Sequence, residues 1–421
     1  MEKIEDIIKY SKQKLGEKIP CSIEVLTPVH IGSGVKLAKD IDFIKNPNSV
    51  HIVSQAELLE YLQNNPDEMQ RFIDGDYKLK ALNRIPTGRT FNISMGNSKE
   101  INEFERNGFG KPYIPGSSLK GSLRTILLKK RFSSLSEEKR NEILSRVTNT
   151  KKEWASEPVL KEIFGDTSNE NLMRALEIFD AEFEEVDLIK VLILSLTNEE
   201  GTSYGWKQMG RPPKNIDNPK YATSIFVEAL PIGAKGYSSI TLSNFLFNDP
   251  TAKETLNFSE PSLSDIEEFT KTINSFSLEK LNKEEAFFQN LNSSNKLNGL
   301  ISSINTLSNQ INQLQKDEMI LRISLGSGWK GMTGDYLEQS WLSTFRSKYR
   351  MGKNNFPVFP KTRRIVFEDD EPKYLTGWIK IKLNETKPAE SSKKSDNSVQ
   401  TEMNPFEALK QKFRVTEFKK K

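Results

Sequence analysis

Residues 113–132 read YIPGSSLKGSLRTILLKKRF. After the turn residues Pro115 and Gly116, Ser117 or Ser118 is placed to cap a helix whose apolar stripe is Leu119, Leu123, Ile126 and Leu127. The first turns of that helix carry Lys120 and Arg124, two cations four residues apart on one face, beside the positive end of the helix dipole. Each such placement costs about 0.3 to 1 kcal/mol when exposed, and an anion resting there reverses the sign. The nearby acids Glu137 and Glu138 lie beyond the helix. Compensation has to come from an anionic ligand or from an acid brought close by folding.

Working outward, the chain has 421 residues, long enough for two or three domains, each with its own core. Charged residues make up 28% and hydrophobic ones 36%, a balance that leaves much polar surface and speaks against a membrane protein. The most apolar stretch, VDLIKVLILSLTN at 186–198, is broken by Lys190 and too short to span a bilayer, so it reads as a buried strand. The start mixes charges of both signs and lacks the apolar run of a signal peptide. The single cysteine, Cys21, rules out an internal disulfide and a thiolate zinc cluster, and a reducing cytoplasm is the simplest location. A net charge of +4 gives only a weak preference for anionic partners, so the placement of charges has to decide.

The pattern along the chain is mixed. An amphipathic helix is expected over 1–20, followed by CSIEVLTPVHIGSG, a strand running into a turn at Gly32 and Gly34. DIDFIKN and SVHIV suggest a hairpin around 46–48, then a helix in AELLEYLQNN; 74–110 reads as a long irregular insertion. Beyond the opening motif come helical LSEEKRNEILSRV and PVLKEIFG, strand-like segments through SSITL, and a polar helical insertion over about 262–317. EMILRISLGSGWKGMTGDYLEQSWLSTF then repeats the plan of strand, Gly-rich loop and helix, and KTRRIVF and YLTGWIKIKL close the fold as strands. The fold class expected is α+β, with one unit over 21–250 and a second over 251–384, antiparallel sheets, Gly-rich loops and helical insertions. Residues 385–421 have the composition of a disordered tail.

Several motifs could carry chemistry. Gly326, Gly328 and Gly331 match the dinucleotide fingerprint, but RSKYRMGKNN supplies no ribose-binding carboxylate at the required distance. The glycines of this loop, with Ser327, Trp329 and Lys330, suit the approach of a phosphate, or serve only tight packing. No Walker motif exists, since Gly follows both Lys120 and Lys330. His30 precedes the Gly32–Ser33–Gly34 stretch and reads as groove mouth or packed strand end; Asp40 and Asp42 read as solvated loop charges or as half of a metal site. Tyr204, Trp206, Lys207 and Arg211 form an aromatic and basic loop of the kind that stacks on unpaired bases, unless it is structural. Lys361, Arg363 and Arg364 suit phosphate contacts, or a solvated face. No cofactor, resident metal or catalytic constellation is expected.

In this order, HIGSG at 30–34, YIPGSSLKGSLRT, GSGWKG at 326–331, FPKTRR and GWIKI resemble the RAMP superfamily of CRISPR proteins, most closely the fifth Csm subunit of type III-A effector complexes. The resemblance runs over about 23–383. It implies two RRM-like, ferredoxin-type domains and a non-catalytic subunit that caps the 3′ end of the CRISPR RNA (crRNA). Implied partners are the backbone subunits, with the small subunit and crRNA-trimming host nucleases as further candidates. The RNA-binding residues this reading assigns are His30, Gly32, Ser33, Gly34, Ser117, Ser118, Lys120, Gly121, Arg124, Trp206, Lys207, Gly326, Ser327, Gly328, Trp329, Lys330, Lys361, Arg363 and Arg364. The alternative is a RAMP-type endoribonuclease using His30 or the Asp40 and Asp42 pair.

Overall fold

The computed structural model describes residues 17–74, 87–243, 245–246, 249–256, 266–331, 335–352 and 358–388. Most of the helix expected over 1–20 lies outside them, and residues 17–20 belong instead to strand β1 (Glu17–Val25). β2 (Gly32–Ala38), β3 (Phe43–Lys45) and β4 (Val50–Val53) follow, the last two forming the expected hairpin, which Asn46 N closes by donating to Ser49 O. After α1 (Gln55–Gln63) and α2 (Pro66–Ile73), two strands occupy the stretch that reads as irregular, β5 (Thr87–Phe91) and β6 (Glu100–Phe104). Each is only five residues long, and short runs among Gly and Arg carry little periodic signal.

β7 (Tyr113–Ile114) leads into α3 (Gly116–Ser133), the helix of the opening motif, followed by α4 (Glu137–Thr148) and α5 (Glu157–Phe164). The strands β8 (Leu176–Ile178), β9 (Ala181–Glu182), β10 (Asp187–Leu196), β11 (Tyr204–Gln208), β12 (Lys214–Ile216), β13 (Ile225–Ala229) and β14 (Lys235–Leu242) come next. α6 (Pro250–Leu256), α7 (Ile266–Leu291) and α8 (Asn298–Ile311) precede β15 (Glu318–Arg322), α9 (Gln339–Lys348), β16 (Thr362–Glu368), β17 (Glu371–Leu375) and β18 (Trp378–Leu383). The tail beyond 388 lies outside the described residues.

The chain is α+β. One sheet has the order β15-β18-β1-β14-β9-β7, with β8 also on β14, and its pairings are antiparallel. A second runs β12-β11-β10-β13-β6-β2, with β16 added at β10 and β17 on β16; its β13–β6 pairing is parallel, a departure from the antiparallel expectation. β3, β4 and β5 make a small third sheet. Both large sheets take strands from the early and the late parts of the chain. β10, the apolar run read as a buried strand, holds β16 on one edge and both β13 and β11 on the other.

Alternation along β15 sends Met319 and Leu321 into one apolar cluster, shared with Leu119, Leu123, Ile126 and Leu127 of α3. Ile320 points into another, with Leu281 and Phe288 of α7 and Ile304 of α8. β15 is also the edge of its sheet, and the polar face of α7 covers that edge. Asn274 donates to Glu318 O and accepts from Ile320 N at 2.9 Å, Ser277 donates to Ile320 O at 2.6 Å, and Thr270 donates to Lys316 O at 2.7 Å. Side chains thus satisfy the backbone groups that no strand reaches. The C-terminal end of β15 is thereby fixed against α3 and α7.

Candidate nucleic-acid interface

α3 starts two residues earlier than a Ser117 cap would place it, and three earlier than a Ser118 cap. Gly116 is its first residue, Pro115 takes the cap position without a side-chain bond, and Gly116 N donates to Asp180 Oδ1 at 2.7 Å. Neither Ser117 nor Ser118 is the cap, because an acid from the β8–β9 connection meets the dipole instead. Gly116 is required for this approach: a Cβ there would lie 2.0 Å from Ile178 O. Lys120 and Arg124 make no ion pair among the described residues. Burial pushes both below their usual pKa; Lys120 is partly compensated by the charge of Glu177, and Arg124 lies over the Phe164 ring at 5.3 Å.

The Gly-rich loop follows β15. Ser324, Gly326 and Gly328 have φ of 62°, 88° and 67°. A Cβ on Gly326 would come within 2.3 Å of Thr376 Oγ1, so glycine is needed there for contact as well as for conformation. Ser122 of α3 donates to Arg322 O at 2.8 Å, joining the opening motif to the start of this loop. Lys330 is half-buried; burial lowers its pKa, which Asp335 partly restores. Trp329 meets the Phe359 ring edge-on, with centroids 5.3 Å apart.

Three clefts open around this junction. The first, about 530 Å³, lies between α3 and the loop and is lined by Ser118, Gly121 and Arg124 on one side and Gly326, Ser327 and Gly328 on the other. The second, about 660 Å³, carries Lys207, Lys280, Trp329, Lys330 and Arg363. The third, about 520 Å³, has His30, Lys36 and Lys99 on its walls. Arg364 lines all three and is exposed, and its side chain makes no hydrogen bond or ion pair among the described residues. Lys120 and Ser117 line none of them.

Several assigned residues are otherwise engaged. Trp206 is 3% exposed and packs in the core against Tyr204 and Phe367. It cannot stack on a base, because the stretch read as a loop is strand β11; its neighbour Lys207 faces the second cleft. Arg363 donates to Glu284 at 2.6 Å and lies over the Phe287 ring at 4.3 Å, so its charge is taken by protein. Lys361 offers its carbonyl to Leu196 N. Gly32, Ser33 and Gly34 begin β2 at a bulge rather than forming a turn, with Gly34 at φ 87° and Ser33 Oγ donating to Glu103.

His30 is 5% exposed, and its Nδ1 meets Glu228 O at 2.6 Å. A carbonyl can only accept, so Nδ1 carries the proton. Burial lowers the imidazole pKa, against the raising effect of that bond and of the Glu228 carboxylate. Asp42 accepts from Ala38 N and from Gln55, and Asp40, at φ 66°, pairs with Lys39 at 3.0 Å. Both carboxylates shape the turn between β2 and β3.

Two residues of the site were missed by the sequence reading. Arg322 is 6% exposed, donates through Nε to Thr376 O at 2.8 Å, and is lowered to about 10 by burial, with Glu284 opposing and Arg363 adding to the shift. Lys280 on α7 is lowered to about 8 by burial. An arginine closing the apolar run EMILR was the available signal, since a buried strand seldom ends on a charge without a partner.

Residues 22–331, well over half of the chain, match the RAMP superfamily. The chain belongs to the RAMP superfamily. Among curated proteins, this RAMP chain is 42% identical over 71 residues to the Csm5 protein of a CRISPR system from Streptococcus thermophilus, a match spanning 19% of that protein's length and 17% of its own. A chain in the cryo-EM structure of a type III-A Csm–crRNA–target RNA ternary complex superposes with a TM-score of 0.63 at 21% identity, covering 87% of this chain and all of that one (100%). The crystal structure of T. onnurineus Csm5 gives 0.55 at 18% identity over 85% of this chain and 99% of that one. These likenesses agree with RRM-like sheets carrying helical insertions, the fold expected of a RAMP protein.

Proposed function

We propose that the chain is a non-catalytic RNA-binding subunit of a type III-A CRISPR effector complex, a counterpart of Csm5. In this reading it caps the 3′ end of the crRNA, abuts the backbone RAMP subunits and supports maturation of that end by separate nucleases in the cytoplasm. Its halves, to about residue 250 and over 251–384, act as RAMP-like units joined through the β1–β18 pairing. The carrying observation is the junction of three clefts at Arg364, where Arg124 and Arg364, neither of them in an ion pair among the described residues, flank a Gly-rich loop. A single-stranded backbone that follows the clefts supplies the anions that Arg124 and Arg364 lack. His30 Nδ1 and both Asp42 oxygens already hold the fold together, which leaves the endoribonuclease reading without support of its own.

Salt-dependent binding of single-stranded crRNA to the purified chain tests the proposal. Arg124→Ala combined with Arg364→Ala is expected to flatten the logarithmic salt slope by about 0.7 per lost phosphate contact. An unchanged slope removes the clefts from the RNA path. Incubation with crRNA precursor, with and without divalent metal, is expected to leave the RNA intact, and residue-mapped crosslinking in the assembled particle checks whether the contacted nucleotides are the 3′-terminal ones.

A further inference from the structure

Among the described residues, the cleft between α3 and the Gly-rich loop is lined by three arginines, Arg124, Arg322 and Arg364, and by no carboxylate. Arg322, more than nine-tenths buried, is held in plane by its Nε bond to Thr376 O, yet its Nη2 has no hydrogen-bond partner among the described residues. In the same cleft, the buried Ser324 Oγ also lacks one among the described residues. Native proteins rarely leave two such groups unsatisfied in one cleft. The loop is pinned: Ser122 holds the Arg322 carbonyl, and a Cβ on Gly326 would sit 3.3 Å from Nη2. The acid nearest in effect, Glu284, is committed to Arg363. A neutral base edge would satisfy the donors but leave the excess positive charge, whereas an anionic oxygen answers both.

We propose that Arg322 Nη2 and Ser324 Oγ form the floor of a phosphate seat, walled by Arg124, that takes one phosphate group of the bound RNA. The inference rests on the RNA-binding reading above and deepens it. The group is either a monoester at the strand terminus or a bridging diester, since both present unesterified oxygens to the donors.

The experiment uses the full chain and a short single-stranded RNA ending in a 3′-phosphate or a 3′-hydroxyl, with affinity read by fluorescence anisotropy. Arg322→Gln and Ser324→Ala are compared with the unsubstituted protein. Ser324→Ala breaks no bond within the protein, so its melting temperature should be unchanged even where Arg322→Gln disturbs folding. A terminal seat gives about tenfold tighter binding of the 3′-phosphate RNA, with the gap erased in both variants. A bridging seat gives equal binding of the two RNAs and a loss of about three- to tenfold for both in the variants. Binding of both RNAs by both variants at the unsubstituted affinity overturns the seat and leaves a carboxylate from a neighbouring protein as the occupant. If Arg124→Ala with Arg364→Ala still weakens RNA binding in that case, only the seat has failed; if it does not, the RNA reading falls too.

Discussion

Arg363 and Arg364 are neighbours on β16, and the strand's alternation sends them to opposite fates. Arg363 faces α7, where Glu284 and the Phe287 ring take it up, both charged side chains being 12% exposed. Burial alone would raise the Glu284 carboxyl, but the charge and hydrogen bond of Arg363 outweigh it and hold the pKa low. The Arg364 side chain faces the cleft junction and meets no ion-pair partner among the described residues. One arginine is a piece of the fold and the next is exposed at the clefts, where the proposed function puts the RNA. Composition treats them as one basic patch, and only the two-residue period separates them.

The contrast breaks most visibly on the Arg363 side. Arg363→Ala strands Glu284 in the interior and is expected to cost about 3 to 5 kcal/mol, seen as a large fall in the denaturant midpoint. Stability equal to the unsubstituted protein would dissolve the distinction. Asp180→Ala comes next, at about 0.5 to 2 kcal/mol, because it removes the anchor at the start of α3; Asp180→Asn should recover part of the loss. Thermal melting reads both, and RNA affinity per folded molecule should hold. Arg364→Ala reverses the pattern. Its stability is expected to stay within about 0.5 kcal/mol, while RNA affinity drops about three- to tenfold. A loss of stability without a loss of affinity would put Arg364 in the same class as Arg363.

The sequence made the helix of 116–133, the hairpin at β3–β4, the buried β10 and the polar helices α7 and α8 legible, because each is a long or well-punctuated periodic pattern. β5 and β6 escaped, since their order comes from distant partners. The motifs at the opening helix and the Gly-rich loop were visible as motifs, and their meeting through Ser122 and Arg322 was not, because that contact spans 200 residues. Trp206 misled for a related reason: an aromatic among Lys and Gly looks like a loop until β10 and β12 pair on either side of it. Lys120 and Arg124 illustrate the limit of local argument. The acid that meets their helix is Asp180, yet it bonds the backbone of Gly116 and leaves Arg124 facing the cleft.

The smallest expected effect concerns pH. Lys280 lines the second cleft on the Arg363 side, and burial lowers it to about 8, with Arg322 and Lys129 pushing the same way and Asp335 and Glu284 opposing. Below about pH 8 the folded protein holds a charge that its surroundings disfavour. Between there and the ordinary lysine range the unfolded chain binds more protons, so this group makes stability rise with pH. RNA affinity moves the other way, because a phosphate near Lys280 prefers the charged form. From pH 7 to 9 the affinity is expected to fall about two- to fivefold, beyond the change at constant charge, and Lys280→Met should bind more weakly at pH 7 with most of that pH dependence gone. Lys330 lines the same cleft and is also lowered by burial. A pH profile that Lys280→Met leaves unchanged would show that α7 presents only structural charges to the cleft, as it does at Glu284, and would confine the RNA path to the face that Arg364 shares with α3.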